Sequence, residues 1–416
     1  MAEKMELKKV EVWDGNLAAA HSLRQAQVDV VSAYPITPST PIVETFAKFL
    51  ADGYVDGEYM MVESEHAAMS GCIGASAAGG RVATATSAQG FALMVETLYQ
   101  ASGMRLPIVL HVVNRALASP LNVNGDHSDM YLGRDSGWIQ LDTFSPQEVY
   151  DMGLMAFKIG EDHDVRLPVM VHQDGFISSH TAQNVSPLSD DEAYEFVGEF
   201  KPMNAMLDFE KPISYGVQTE EDWHFEHKAR QHNDLMTKVF PKIDEVFQEF
   251  EKKTGRKYKI VEDFYMDDAR VAIVALGTTV ETAKLAARIL RKEEKIKAGV
   301  VGIRVLRPFP FEQLGEVLKK VKAIGTLDRS SPNGTVGMLY NEISGVLMGH
   351  GVKSIVLNYV YGLGGRDITV EMIKNIFREL DQNRKARKRI SPVQQFVNLR
   401  GPKLEYFDAS LVNRGK

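Results

Sequence analysis

Two side chains and one turn stand where chemistry can be done. Glu65, in Val62-Glu63-Ser64-Glu65-His66, opens an Ala/Gly-rich run that reaches Gly80. A carboxylate starting such a helix beside a sheet is expected to be partly buried; the plainer role is an acid favoured by the helix N-terminus by under about 1 kcal/mol. Periodicity does not separate the two. Arg115 follows the strand-like His111-Val112-Val113-Asn114. Its guanidinium can clamp a carboxylate through paired hydrogen bonds, or be an ordinary surface arginine at a strand end. Thr37 lies in Tyr34-Pro35-Ile36-Thr37-Pro38-Ser39-Thr40, where prolines hold the preceding residues extended. Prolines can merely punctuate a strand-to-helix junction, yet open α/β sheets place ligands at rigid loops on the carboxyl ends of strands.

Other segments carry weaker signals. Gly125-Asp126-His127-Ser128-Asp129 offers two further acids and a histidine, open to a metal or catalytic-triad reading. A solvated turn looks the same, and no Gly-x-Ser-x-Gly elbow or His-Glu-x-x-His helix accompanies it. Thr86-Ser87-Ala88-Gln89-Gly90 is a strand-to-helix turn whose hydroxyls can face a ligand or cap the helix. Gly277-Thr278-Thr279 begins a helix and can bind an anion through free backbone donors, although such junctions are common. Cys72, the one cysteine, sits among small residues and reads as a buried structural thiol.

The elements that must position these groups alternate. Asn16 is expected to cap a helix reaching Gln27, and a strand over Val28 to Ala33 follows. Thr40 is expected to cap a helix near Pro41 to Leu50, with Pro41 at its first position. A strand over Tyr59 to Glu63 leads to the Ala/Gly-rich helix, where Gly71 and Gly74 suggest close packing against a neighbour or a cofactor. Strands over Arg81 to Thr86 and Pro107 to Asn114 flank a helix from Gly90 to Ser102, and Ser145-Pro146-Gln147-Glu148 reads as a capping box. With a strand over Leu167 to His172, the pattern implies a doubly wound parallel sheet with helices on both faces. Residues 201–264 break it with a loop and a long charged surface helix from Glu220 to Lys253. The alternation restarts at Arg270 to Ala275, with strands over Gly299 to Val305, Ala323 to Leu327 and Ser354 to Val360. The expected division is thus an α/β domain over 1–200, a linker over 201–264, a second α/β domain over 265–385 and a basic C-terminal extension over 386–416.

At 416 residues the chain is long for one core. A net charge of −7 makes no electrostatic case for nucleic acid. No apolar run approaches a membrane span, and the start, Met1 to Lys9, is too charged for a signal peptide, so a cytoplasmic protein is expected. A single cysteine excludes an intrachain disulfide and any all-cysteine zinc or iron–sulfur site built by this chain alone.

Taken in order, these segments resemble the α subunit of the 2-oxoacid:acceptor oxidoreductases, the pyruvate:ferredoxin oxidoreductase family. The resemblance rests on Ala33 to Ser39, Val62 to His66, Ala85 to Gly90, Asp126 to Asp129, Arg307-Pro308-Phe309-Pro310, Asp328-Arg329 and Tyr361 to Asp367, and it covers nearly the whole chain. It implies a pyrimidine-type thiamine-diphosphate-binding domain followed by a transketolase C-terminal-like α/β domain that organises the assembly, with Arg307 to Pro310 a structural marker. The glutamate matching Glu65 would hydrogen-bond the cofactor's aminopyrimidine ring, Pro35 and Ile36 would line the cofactor, and Thr37 and Arg115 would hold the substrate's oxygen and carboxylate. The implied reaction is oxidative decarboxylation of a 2-oxoacid, pyruvate by default, with the acyl group passed to coenzyme A and electrons passed singly through iron–sulfur clusters to ferredoxin. A relative acting on phenylglyoxylate, with NAD as final acceptor, and a non-catalytic scaffold are the alternatives; the joint presence of Thr37, Glu65 and Arg115 argues against the scaffold.

Two absences shape the implied assembly. The lone cysteine sends the iron–sulfur clusters to other chains, a γ subunit and a ferredoxin-like subunit. The family's Gly-Asp-Gly motif with its downstream Asn is missing, and Gly125-Asp126-His127 does not replace it. Mg²⁺ and the diphosphate are therefore expected on a β subunit, with the active site between chains.

Overall fold

The computed structural model describes residues 9–400. Runs of small and β-branched residues form strands, and stretches with an apolar face form helices, in close alternation. The first part comprises β1 (Glu11–Trp13), α1 (Gly15–Gln25), β2 (Val30–Ala33), α2 (Thr40–Ala51), β3 (Glu58–Met61), α3 (Glu65–Ala78), β4 (Val82–Thr86), α4 (Ala88–Gly103) and β5 (Val109–Asn114). It continues with β6 (Ile139–Asp142), α5 (Pro146–Gly160), β7 (Val169–Asp174), β8 (Gln183–Val185), α6 (Asp190–Val197), α7 (Glu221–Asp234) and α8 (Phe240–Thr254). The remainder is β9 (Val261–Phe264), β10 (Val271–Ala275), α9 (Thr279–Glu293), β11 (Ala298–Ile303), β12 (Val305–Arg307), α10 (Phe311–Leu318), β13 (Ala323–Asp328), α11 (Met338–Gly349), β14 (Ile355–Val360), α12 (Val370–Ala386) and β15 (Gln394–Phe396).

One sheet has the order β12-β6-β7-β5-β4-β2-β3, parallel except for β12, which runs antiparallel to β6. Buried residues of α1, α2 and α5 pack on one face and those of α3 and α4 on the other. A second sheet, β15-β14-β13-β10-β11-β9, is parallel except for β9. It is covered by α9 and α12 on one side and by α10 and α11 on the other. The fold is α/β, of the thiamine-diphosphate-binding class with a transketolase-like second unit. The strand Val305–Arg307 crosses from the second unit into the first sheet, so the two share a sheet as well as a core.

The carboxyl ends of the two sheets meet. Asp174, ending β7, lies 2.7 Å from His127 Nε2 and 3.0 Å from Arg329 Nη1, just past the end of β13, and accepts from Thr278 N and Oγ1 at 2.8 and 2.6 Å. Burial works against charge on Asp174, but Arg329 and His127 hold its carboxyl well below the usual range. Asp142, ending β6, accepts from Gly277 N at 2.6 Å.

Several local expectations are corrected. Asp14 caps α1 by accepting from Leu17 N, because its extended backbone aims the short carboxylate back at the first turn; Asn16 lies inside the helix. Thr40 is the first residue of α2 rather than its cap, which makes Pro41 the second. The Gly277–Thr279 junction does bind carboxyl groups, but they are this chain's own Asp142 and Asp174. Ser145 accepts from Glu148 N, whereas the Glu148 carboxylate turns to Phe144 N and Arg304, so the box is half closed; the reciprocal box is Ser189–Glu192. The long linker helix is two helices joined by a π-helical turn at Leu235–Val239, and α8 buries Val246, Phe247 and Phe250 rather than remaining on the surface. Arg384 belongs to α12 and β15 pairs in parallel with β14, so the extension is part of the sheet there. Residues 1–8 and 401–416, which include most of the charged start and the end of the expected extension, lie outside the described residues.

Candidate functional site

In a parallel sheet every strand delivers its last residue to the same edge. Here that edge presents the turn after β2, Glu65 after β3, Ser87 after β4 and Arg115 after β5.

Glu65 is the first residue of α3, whose cap Ser64 accepts from Ala67 N at 3.1 Å. It is 7% exposed, and its carboxylate has no hydrogen-bond or ion-pair partner among the described residues. Such burial costs free energy unless a partner is supplied. The opposing wall is Gly90 of α4. A Cβ there would stand 2.5 Å from Glu65 Oε1, 2.6 Å from Thr86 Oγ1 and 2.7 Å from Glu65 Cγ, so this position takes only glycine without displacement. The Thr86 and Ser87 hydroxyls are also buried without partners among the described residues, and Ser87 makes no side-chain cap. Glu65 and Thr86 thus close on Gly90, and the Thr86 and Ser87 hydroxyls beside them are unpaired among the described residues.

Arg115 is buried, and its guanidinium is held by main chain: Nη1 donates to Thr37 O at 2.8 Å and Nε to Asn122 O at 3.3 Å. Burial pushes it below its ordinary value while Asp129 works the other way, and an arginine so placed stays cationic. Thr37 and Arg115 are thus brought together directly, across strands that are not neighbours. Thr37 is exposed and precedes a cis peptide to Pro38; Pro35 is exposed and Ile36 half-buried on the same turn. Asn16 Nδ2 donates to Pro38 O at 2.8 Å and ties the turn to α1.

Asp126, His127 and Asp129 form neither a metal site nor a triad. No group of three or more potential ligands suited to a metal ion exists among the described residues. Asp126 accepts from Ser128 and Gly364 N, and His127 is committed to Asp174. Gly71 does pack closely, a Cβ there falling 2.7 Å from Ser32 Oγ, but nothing among the described residues comes within 4 Å of a Cβ at Gly74. Cys72 is enclosed, and burial pushes its thiol up to about 12, as suits an inert residue. Asp174 and Arg329 were missed as partners because they lie 155 positions apart, and Asp328-Arg329 was noted only as a family segment. Gly90 and Asp129 lay within motifs already noted, where only the folded chain shows what they touch.

A family described as pyruvate flavodoxin/ferredoxin oxidoreductase, thiamine diphosphate-binding, matches residues 21–246, and pyruvate:ferredoxin oxidoreductase core domain II matches residues 269–373. The chain belongs to this oxidoreductase family. It is an α subunit of the 2-oxoacid:acceptor oxidoreductases: pyruvate synthase subunit PorA of Thermotoga maritima is 49% identical over 367 residues, covering 88% of this chain and 93% of the relative. Ketoisovalerate oxidoreductase subunit VorA of Pyrococcus abyssi is 44% identical over 383 residues, 91% of this chain and 95% of the relative. A solved structure of 2-oxoglutarate:ferredoxin oxidoreductase from Magnetococcus marinus shares the fold at a TM-score of 0.70 and 24% identity, over 91% of this chain and 66% of that one. No helix among the described residues is long and apolar enough to cross a membrane.

Proposed function

We propose that this chain supplies the pyrimidine-facing half of a thiamine diphosphate site in a multi-subunit enzyme that oxidatively decarboxylates a 2-oxoacid, pyruvate by default, to acyl-CoA and CO₂. The observation that carries the reading is the unpartnered, nearly buried Glu65 carboxylate against Gly90. Its donor set fits the group. A carboxylate can share a proton with a ring nitrogen, and Gly90 lets the Glu65 side chain lie close against α4. Thiamine diphosphate, when bound, supplies a nucleophilic carbon and an electron sink for decarboxylation.

The chain's own residues do the rest. Glu65 would hold the ring proton from a largely buried position, where the interaction is stronger than in solvent. Arg115, fixed by Thr37 O and Asn122 O, neutralises the substrate carboxylate, and Thr37 takes the keto oxygen; Pro35 and Ile36 line the cofactor. Mg²⁺ and the diphosphate fall to a β subunit, and iron–sulfur clusters to γ and ferredoxin-like subunits, which pass electrons to ferredoxin; coenzyme A is the acyl acceptor, and the assembly is cytoplasmic. The division into 1–200, 201–264, 265–385 and 386–416 belongs to this reading. A branched-chain 2-oxoacid is the second reading, supported by the VorA relative.

The test is to purify the native complex and assay pyruvate, 2-oxoisovalerate, 2-oxoglutarate and phenylglyoxylate with a viologen acceptor. Glu65→Gln is expected to leave the complex assembled while CO₂ release collapses. Unchanged turnover in that variant overturns the assignment of Glu65.

A further inference from the structure

Arg115 begins the irregular segment that runs to Asp129, so its side-chain bonds to Thr37 O and Asn122 O tie it only to other loops. The peptide bond to Asn114 joins it to β5, and Asp129 joins it to the start of α4. This carboxylate is 0% exposed and accepts four N–H groups. Oδ2 takes Arg115 N and Ala88 N, both at 2.9 Å. Oδ1 takes Asn114 Nδ2 at 2.9 Å and Met130 N at 2.7 Å. One oxygen therefore bridges the residue that clamps the substrate and the first residue of α4, the helix whose Gly90 walls Glu65.

The Ala88 end needs such a hold. Its φ is +42°, a left-handed conformation that costs a non-glycine residue of order 1–3 kcal/mol and persists only where the surroundings enforce it. The helix beyond is anchored by buried Phe91, Met94 and Leu98. The Arg115 end is fixed by β5 on one side but leads on the other into the irregular segment that reaches Asp129, so it has more room to move than the packed helix when the bridge is lost.

We propose that Asp129 is a positioning residue that sets the distance between the Arg115 clamp and the Glu65–Gly90 wall, and so between substrate carboxylate and cofactor ring. This rests on the function proposed above. Burial pushes the Asp129 carboxyl up to about 7, against the pull of the Asn114, Arg115 and Ala88 N–H donors.

Asp129→Asn discriminates sharply, because each oxygen faces two N–H donors and the new NH₂ must oppose two of them in either orientation. In the assembled complex, with thiamine diphosphate content measured, this variant is expected to raise KM for the 2-oxoacid 10- to 100-fold and to change kcat less than threefold. The dissociation constant of oxamate, a carboxylate that cannot turn over, should rise by the same factor in calorimetry. In an Arg115→Ala background the same change should cost less than threefold, since the clamp it positions is gone. Equal losses in both backgrounds, or unchanged KM and oxamate affinity, overturn the proposal. Wild type that binds oxamate but turns over no 2-oxoacid refutes the function instead and leaves the oxamate comparison to judge Asp129. If Asp129→Asn does not assemble, Asn114→Ala, which removes one donor, should raise KM and the oxamate constant three- to tenfold; unchanged values there overturn the proposal equally.

Discussion

Gly90→Ala tests the wall of the site without removing any functional group. The added methyl would lie 2.5 Å from Glu65 Oε1, 2.6 Å from Thr86 Oγ1 and 2.7 Å from Glu65 Cγ. Carbon–oxygen contacts rarely close below about 3.2 Å, so Glu65 must retreat by roughly 0.7 Å, because Thr86 stands in the closed interior of β4. Both Cγ and Oε1 are engaged, so turning the carboxylate alone does not relieve the contact. A misplacement near 1 Å costs about 100-fold in rate. For 0.7 Å the expected loss in kcat is roughly 10- to 100-fold, or about 2 kcal/mol of barrier. Folding should suffer too, since the contact with Thr86 Oγ1 at 2.6 Å remains, although alanine in a helix is favoured over glycine by about 1 kcal/mol and offsets part of the strain. The assay is dye-linked turnover of the assembled complex, with Tm as the folding control. Gly74→Ala, where nothing among the described residues lies within 4 Å of the added methyl, is the matched control and should keep its activity if that face is also free in the complex. Gly90→Ala turning over within threefold of wild type, with cofactor retained, would refute the reasoning that Glu65 is positioned against this glycine.

Other consequences can be checked in the same preparation. Arg115→Ala should lose at least 100-fold in kcat/KM with cofactor content unchanged; a loss confined to cofactor binding would contradict its role as a carboxylate clamp. Gly277 has φ +61°, and a Cβ there would lie 2.6 Å from Asp174 Oδ2, so Gly277→Ala should destabilise by about 1–3 kcal/mol and lower the Tm, and an unchanged melt would show the junction to be loose. His111 and His172 are fully enclosed; burial pushes both down to about 3, with the nearby His127 charge adding to it at His172. The unfolded chain binds these protons from about pH 6.5 downward and the folded chain does not, so stability is full above that pH and falls below it, by about 2 kcal/mol per histidine at pH 5. Thermal melts at pH 7 and pH 5 should show the fall, and His111→Leu should make it shallower; an identical pH dependence in the variant would rule out His111 as a source.

The two alternating α/β stretches and the turn before Ser39 were legible in the chain itself, because they depend on local patterns, whereas Thr37, Glu65 and Arg115 were chosen together through the family resemblance. Apolar runs of strand length, prolines and small-residue helices constrain the backbone within a few residues, and the ordered motifs marked the family. Helix ends were less legible. Asp14, Asn16, Ser39 and Thr40 are all competent caps by type, and the choice among them followed from backbone angles that packing fixes. The linker helix was misread for a similar reason, since its charged face hid a stripe that α8 buries against α5.

What only the tertiary structure decided is which groups are short of partners and which already have them. Gly277–Thr279 and Asp126–Asp129 resemble binding sites in sequence, yet folding supplies Asp142, Asp174, Arg329 and Gly364 to satisfy them from far along the chain. Glu65, Thr86 and Ser87 look ordinary in sequence, yet folding encloses them and provides no partner. A polar group's need for a ligand is the difference between the burial it suffers and the bonds it receives. Both are set by contacts between residues remote in sequence, and so neither can be read from neighbours in the chain.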